Sequence, residues 1–220
     1  GKSLRLGGSK TPYEKNGTFY GDLSAILIDN MPFWAEFSST PSSKTSLMED
    51  WDYKMVAIIN ETLNENVTSL AGVPSWMLVL LNKILKESKK EYISEIWPNL
   101  EVYFHGGVSF KPYLNQYDAI INKDSMQYYE IYNASEGFFA IQYENNTNEL
   151  LLMLDYGIFY EFIPMKTYGT KNEKIIPLSQ VEKGVNYAIL ITTNAGLWRY
   201  KIGDTVKFTS LSPYKILVSG

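Results

Sequence analysis

The chain has no cysteine and a single histidine, His105. Disulfide scaffolds and cysteine-ligated metal centres are therefore excluded, and a histidine-rich zinc site cannot be built. Positive charge is also scarce. Twenty Lys and Arg against 24 Asp and Glu leave a net charge of −4 over 220 residues. Neutralising phosphates takes a clustered basic surface, so nucleic acid is not expected as a partner. No apolar run approaches the ~20 residues of a membrane-spanning helix, and Gly1-Lys2-Ser3-Leu4-Arg5 lacks the hydrophobic region of a signal peptide. No membrane partner is expected either. The chain starts with Gly rather than Met and stops straight after the strand-like Tyr214-Lys215-Ile216-Leu217-Val218, which reads as a piece of a longer protein.

What is present is apolar and aromatic. Hydrophobic residues make up 45% of the chain, enough for a packed core, and aromatics 15%, including 17 Tyr. Met77, Leu80, Leu81, Ile84 and Leu85 follow the i, i+3, i+4, i+7, i+8 spacing of an amphipathic helix opened by Pro74 and closed in the charged run Lys86 to Lys90. Trp51 to Asn64 predicts a second helix, Val67 to Ala71 a short strand ending at Gly72, and Leu100 to His105 a strand cut off by Gly106-Gly107. Phe110 to Ile121 predicts a helix and Met126 to Tyr132 the next strand. Such alternation implies parallel strands with helical crossovers.

From Phe138 the pattern changes to strands joined by tight polar turns: Phe138 to Glu144, Leu150 to Leu154 and Phe159 to Ile163, with Asn145-Asn146-Thr147-Asn148 as a hairpin connection. Tyr187 to Thr192, Trp198 to Tyr200 and Thr205 to Thr209 predict further short strands. Ser38 to Ser46 reads as a polar loop. The expected fold is α/β, a parallel sheet with flanking helices over about 1–137 passing into a β-rich, antiparallel or barrel-like lobe over about 138–220.

Two polar signatures follow predicted strands, Tyr132-Asn133-Ala134-Ser135-Glu136-Gly137 and Tyr200-Lys201-Ile202-Gly203-Asp204. In α/β proteins groups at the carboxyl ends of strands face the ligand crevice, so Glu136 and Asp204 could converge. Glu136 could ligate Mg²⁺, which takes carboxylate and phosphate oxygens; equally, Ser135 could cap a helix whose dipole Glu136 favours. Asp204 could accept hydrogen bonds from vicinal hydroxyls, or simply sit in an Asp-containing turn. Gly106-Gly107 could let a flat ring pack on bare backbone, or make a turn. His105 beside an apolar strand reads as a hydrogen-bonded structural residue rather than as a general base. Gly7-Gly8-Ser9-Lys10 lacks the G-x-x-x-x-G-K-[ST] spacing and is not a phosphate loop of that type.

Gly72-Val73-Pro74-Ser75-Trp76-Met77, Phe104-His105-Gly106-Gly107 and the two signatures, in this order, resemble the auxin-responsive Gretchen Hagen family of acyl-acid amido synthetases, in a bacterial form. That family belongs to the adenylate-forming superfamily. The resemblance covers essentially all 220 residues. It implies a cytoplasmic ligase that uses ATP and Mg²⁺ to convert a carboxylic acid to an acyl-adenylate and then transfers the acyl group to an amine, usually of an amino acid. It further implies that Glu136, the catalytic candidate, helps hold Mg²⁺, that Tyr132 and Ser135 line the adenine and phosphate region, and that Asp204 binds the ribose. On the same basis Gly106 and Gly107 border the adenine, and Val73, Ser75 and Trp76 lie towards the acyl pocket.

Two departures accompany the resemblance. Tyr200-Lys201 stands where the family often has Tyr-Arg, which keeps the charge but gives up the planar fork. The family's phosphate loop is not found, and its mobile C-terminal domain would begin beyond Gly220. The chain is thus expected to be part of the large N-terminal domain and inactive in isolation. A noncatalytic nucleotide- or acyl-binding homologue, an adenylating enzyme with a thiol acceptor and a carbohydrate-binding module are the alternatives.

Overall fold

Apolar strands that must be covered on both faces need helices between them, and the first part of the chain supplies them in turn. The computed structural model describes residues 1–7, 12–145 and 147–220. The Gly7-Gly8-Ser9-Lys10 segment lies largely outside these residues, and so does Asn146 of the expected hairpin connection. The described chain forms two units, Gly1–Tyr129 and Glu130–Gly220.

The first unit runs β1 (Lys2–Leu6), β2 (Tyr13–Lys15), β3 (Thr18–Tyr20), α1 (Leu23–Asp29), α2 (Phe33–Phe37), β4 (Ser39–Thr40), α3 (Ser43–Ser46), α4 (Trp51–Thr62), β5 (Val67–Gly72), α5 (Pro74–Ser88), α6 (Ile93–Ile96), β6 (Val102–Gly106) and α7 (Leu114–Ile121). Strands β4, β1, β5 and β6 lie side by side in that order, all parallel. The expected helix opened by Pro74 is α5, with Pro at its first turn. Its Met77, Leu80, Leu81 and Ile84 are fully buried against Leu4, Leu70 and Tyr103 of the strands and Met55 and Ile58 of α4. Burying such a stripe is worth about 1.5–3 kcal/mol per large side chain. The helix ends at Lys89, whose φ of 55° breaks the helical path.

One expectation is corrected here. Ser38 to Ser46 is not an open polar loop: it contains β4 and α3, and Ser39, Thr40, Thr45 and Ser46 are buried. Their polar groups are satisfied locally. Ser39 Oγ donates to the Ala35 carbonyl, and Thr45 Oγ1 donates to Glu61. Neutralising these groups inside removes the cost of burying them.

The second unit is antiparallel. It comprises β7 (Gln127–Ala134), which spans the division between units, then β8 (Gly137–Ile141), β9 (Leu150–Leu152), β10 (Ile158–Pro164), β11 (Ile176–Pro177), β12 (Asn186–Thr193), β13 (Tyr200–Leu211) and β14 (Tyr214–Val218). The pairing order is β7-β8-β9-β14-β13-β12-β10-β11. Inward residues of these strands form one buried cluster, among them Tyr132, Phe139, Ile158, Tyr160, Phe162, Tyr187 and Phe208. The sheet closes on this cluster: a Cβ placed on Gly137 of β8 would meet Ile158 Cδ1 of β10 at 2.8 Å.

The expected strand Thr205 to Thr209 is part of one twelve-residue strand, β13, which begins at Tyr200; Trp198 and Arg199 of the other expected strand lie outside it. It bulges against β12, since Ala188 and Leu190 pair with Thr205 and Lys201 and leave Ile202, Gly203 and Asp204 outside the regular ladder. A bulge lets a strand continue while re-aiming its side chains. Gly203 has φ of 103°, which a side chain would strain.

In the first unit Gly72 is constrained twice over. Its φ is 153°, and a Cβ there would lie 2.8 Å from the Leu6 carbonyl oxygen of the neighbouring strand. Gly72→Ala should lower stability by about 2–4 kcal/mol in urea unfolding, and a loss below about 0.5 kcal/mol would contradict this account of the β1–β5 edge.

Candidate functional site

The expected site residues fall into one group in each unit. In the second unit, β7 ends in a two-residue hairpin loop, Ser135-Glu136, with Ala134 paired to Gly137. The alternative in which Ser135 caps a helix is corrected: the segment returns as a strand because Phe138-Phe139-Ala140-Ile141 feeds the aromatic core. Ser135 is exposed and Glu136 partly exposed, and Glu136 takes part in no ion pair among the described residues. The expectation of a turn at Gly203-Asp204 is corrected as well, because the bulge in β13 carries Asp204 within a continuous strand.

This bulge brings the two signatures together. Tyr132 Oη donates to Asp204 Oδ2 at 2.7 Å, across 72 positions of sequence. Burial, then the neighbouring Asp204 charge, pushes the Tyr132 phenol above its ordinary range, with smaller contributions from Tyr160 and Glu136. Tyr132 therefore stays a proton donor, and Asp204, partly exposed, is held in place with acceptor capacity to spare. A carboxylate oriented this way can receive hydroxyl donors from a polyol. Beside it, Arg199 forks onto Glu161 at 2.8 and 2.7 Å, and Lys201 pairs with Glu173 at 2.8 Å. Lys201 is thus engaged in an ion pair on the surface.

Among the described residues no three His, Cys, Asp or Glu side chains cluster as a metal cage. Glu136 alone in a loop matches the way Mg²⁺ is commonly held, by one or two carboxylates plus phosphate oxygens and water.

In the first unit, Val73 lies between two clamped carbonyls. Tyr103 Oη donates to the Gly72 carbonyl at 2.9 Å and Tyr117 Oη to the Pro74 carbonyl at 2.7 Å. Both phenols are pushed up by burial. Gly106 ends β6 and Gly107 follows with φ of 81°; a Cβ on Gly107 would touch Val73 Cγ2 at 3.6 Å. A cleft of about 460 Å³ is lined by Val73 and Trp76 together with Leu6, Met48, Trp51 and Lys54. The Trp51 and Trp76 rings meet edge to face, 5.0 Å apart. Ser75 is not among the lining residues.

Sequence reasoning missed the other walls of this cleft. Lys54 is 3% exposed, with Nζ donating to the Gly7 and Ser46 carbonyls. Burial lowers its pKa, and Asp22, also at the cleft, works in the opposite direction. The signal was a lysine on the otherwise apolar face of a helix. Trp51, at the start of the same helix, carried none.

The fold is that of adenylate-forming enzymes. A 2-hydroxyisobutyryl-CoA ligase in the postadenylation state, in complex with 2-HIB-AMP, superposes with a TM-score of 0.62 at 13% identity over 100% of this chain and 43% of that one. GH3.15 acyl acid amido synthetase superposes with a TM-score of 0.77 at 16% identity over 99% and 48%. Residues 9–126 match the GH3 family N-terminal domain and residues 151–218 the GH3 family central domain. The chain belongs to the GH3 family, as the four motifs implied. Indole-3-acetic acid-amido synthetase GH3.4 of Arabidopsis thaliana is 30% identical over 190 residues, 80% of this chain; the chain spans 30% of that relative's length.

His105 is buried, but without the hydrogen bond at Nδ1 that the structural reading expected. It is 3% exposed, stacked on Phe110 with centroids 4.0 Å apart, and its Nδ1 has no hydrogen-bond partner among the described residues. Burial depresses its pKa from 6.5 to about 4. Between those values the unfolded chain binds a proton that the folded chain does not, so stability falls as pH drops from about 6.5 towards 4, by roughly 3 kcal/mol in all. His105→Phe should remove this component. Urea unfolding at pH 7 and 4.5 should show a wild-type loss about 2–3 kcal/mol larger than the variant's, and equal losses would contradict the assignment.

Proposed function

We propose that this chain supplies nucleotide- and acyl-binding surfaces of an ATP-dependent acyl-acid amido synthetase. The observation that carries this reading is the Tyr132–Asp204 hydrogen bond, which joins the two motifs in a chain belonging to the GH3 family. Asp204 would accept the ribose hydroxyls while Tyr132 holds its carboxylate. Ser135 and Glu136 would face the phosphates, Glu136 ligating Mg²⁺, which when bound supplies charge neutralisation at the phosphate oxygens. In the first unit, Gly106 and Gly107 would offer bare backbone, their lack of side chains admitting a flat ring.

The acid would occupy the cleft of Val73, Trp76 and Trp51, whose walls suit an apolar or aromatic body. Its carboxylate oxygen would attack the α-phosphorus as the bond to pyrophosphate breaks. The amine nitrogen of an amino acid would then attack the acyl carbon, AMP leaving and the amine giving up its proton. The first step needs placement and charge stabilisation rather than a dedicated base, which agrees with a chain whose one histidine is buried and neutral. The partners in this reading are a small carboxylic acid and an amine, in the cytoplasm.

The test is ATP–pyrophosphate exchange by the full-length protein against a panel of carboxylic acids. Acid-dependent exchange should fall roughly 10- to 100-fold in Asp204→Ala, as expected when hydrogen bonds to a charged group are lost. Exchange that needs no acid, or that Asp204→Ala leaves intact, would contradict the reading.

A further inference from the structure

The Trp51–Trp76 pair gives the first unit's cleft an apolar lining, yet four polar side chains share it: Asp22, Ser24, Glu49 and Lys54. Three of the four are held within the fold. Asp22 Oδ1 accepts from Ser24 Oγ at 2.6 Å and from the Ala25 amide at 2.9 Å, capping α1. Lys54 Nζ donates to the Gly7 and Ser46 carbonyls. Glu49 differs from them. It is partly buried, and among the described residues its side chain takes part in no hydrogen bond or ion pair.

A carboxylate in that position matches a wholly apolar occupant poorly. A ligand filling the cleft of about 460 Å³ would strip water from Glu49 and offer nothing in return, and an unpaired buried charge is costly. Nor does Glu49 suit the reacting end of an acid. With Asp22 it sets two carboxylates against the one ammonium of Lys54 at the cleft, so a substrate carboxylate is repelled from it. One kind of substrate meets both conditions. It enters with its carboxylate turned away from Glu49, carries an O–H donor at its far end, and leaves the intervening body to the tryptophans.

We propose that Glu49 is a specificity-determining residue of this cleft: it accepts a hydrogen bond from a hydroxyl at the end of the acid remote from its carboxylate, so that the substrates are hydroxylated acids rather than plain hydrocarbon ones. The same charge orients the acid, because the wrong end is repelled. A site built around a polar group rejects an analogue lacking the partner more strongly than an apolar pocket rejects a missing methylene. The inference rests on the acid reading of the cleft and deepens it, since Glu49 belongs to none of the four motifs.

The experiment measures ATP–pyrophosphate exchange by the full-length protein as wild type, Glu49→Gln and Glu49→Ala, with pairs of acids in which a hydroxyl replaces a methyl group. The pairs are meta- and para-hydroxyphenylacetate against the methyl compounds, and ω-hydroxy fatty acids against fatty acids of the same length with a terminal methyl. In wild type the kcat/KM for the hydroxyl member of at least one pair should exceed that of its methyl partner by about 10- to 100-fold, the worth of a hydrogen bond to a charged group. The ratio should fall in Glu49→Gln, which keeps a neutral acceptor, and approach unity in Glu49→Ala, with AMP binding and Tm unchanged. Exchange with no preference for the hydroxyl in any pair, or a preference that Glu49→Ala keeps, would overturn the role of Glu49 and leave the acid reading standing. Equal losses for both members of every pair in Glu49→Ala, with a lowered Tm, would mark a structural role and overturn the proposal as well. Exchange that no acid stimulates would overturn both it and the acid reading.

Discussion

The Tyr132–Asp204 hydrogen bond is the constraint on which the second unit's site depends. It is short, at 2.7 Å, and it ends on a carboxylate. Hydrogen bonds to charged groups are the stronger kind, about 1.5–3 kcal/mol net. For it to form, β13 must bulge so that Asp204 leaves the ladder, and Gly203 must take the φ of 103° that the bulge requires. β7 must also return immediately through Ser135-Glu136, so that Tyr132 faces the core beside Phe139. The hairpin, the bulge and the aromatic cluster therefore serve one geometry. A buried phenol that stays protonated orients a partly exposed acid.

The first unit uses the same device with a different end. Tyr103 and Tyr117 are buried, protonated phenols, and they donate to the carbonyls on either side of Val73. They fix the passage from β5 into α5 by holding the Gly72 and Pro74 carbonyls. Of the 17 tyrosines that stand out in the composition, Tyr103, Tyr117 and Tyr132 are thus interior donors, whereas Tyr13, Tyr20, Tyr53, Tyr143, Tyr156, Tyr168 and Tyr200 are exposed. The interior set suits chemistry that relies on placement, because rigid donors hold acceptors without adding charge to the core.

Much of the architecture was legible where one physical rule dominates. The 3.6-residue stripe and Pro74 defined α5, and the change from alternating helix and strand to closely spaced strands marked the antiparallel lobe. Legibility failed where tertiary contacts decide. Nothing local distinguishes Gly203-Asp204 in a turn from the same pair in a bulge; the difference is the ladder that β12 provides on one side. Ser38 to Ser46 looked solvated because its residues are polar, yet neighbouring carbonyls and Glu61 satisfy them inside. Lys54 was hidden by the same rule, as a cation whose donors reach carbonyls far away in sequence. The approach of the two signatures was readable only as a possibility, and for Glu136 with Asp204; that Tyr132 makes the bond to Asp204 was not.

The most direct measurement of the central claim is a double-mutant cycle on stability, with Tyr132→Phe, Asp204→Ala and the double variant compared with wild type in urea. The account predicts a coupling of about 1–3 kcal/mol between the two positions, because each single variant removes the same hydrogen bond. Additive effects, within about 0.5 kcal/mol, would show that the two signatures do not depend on one another and would contradict it.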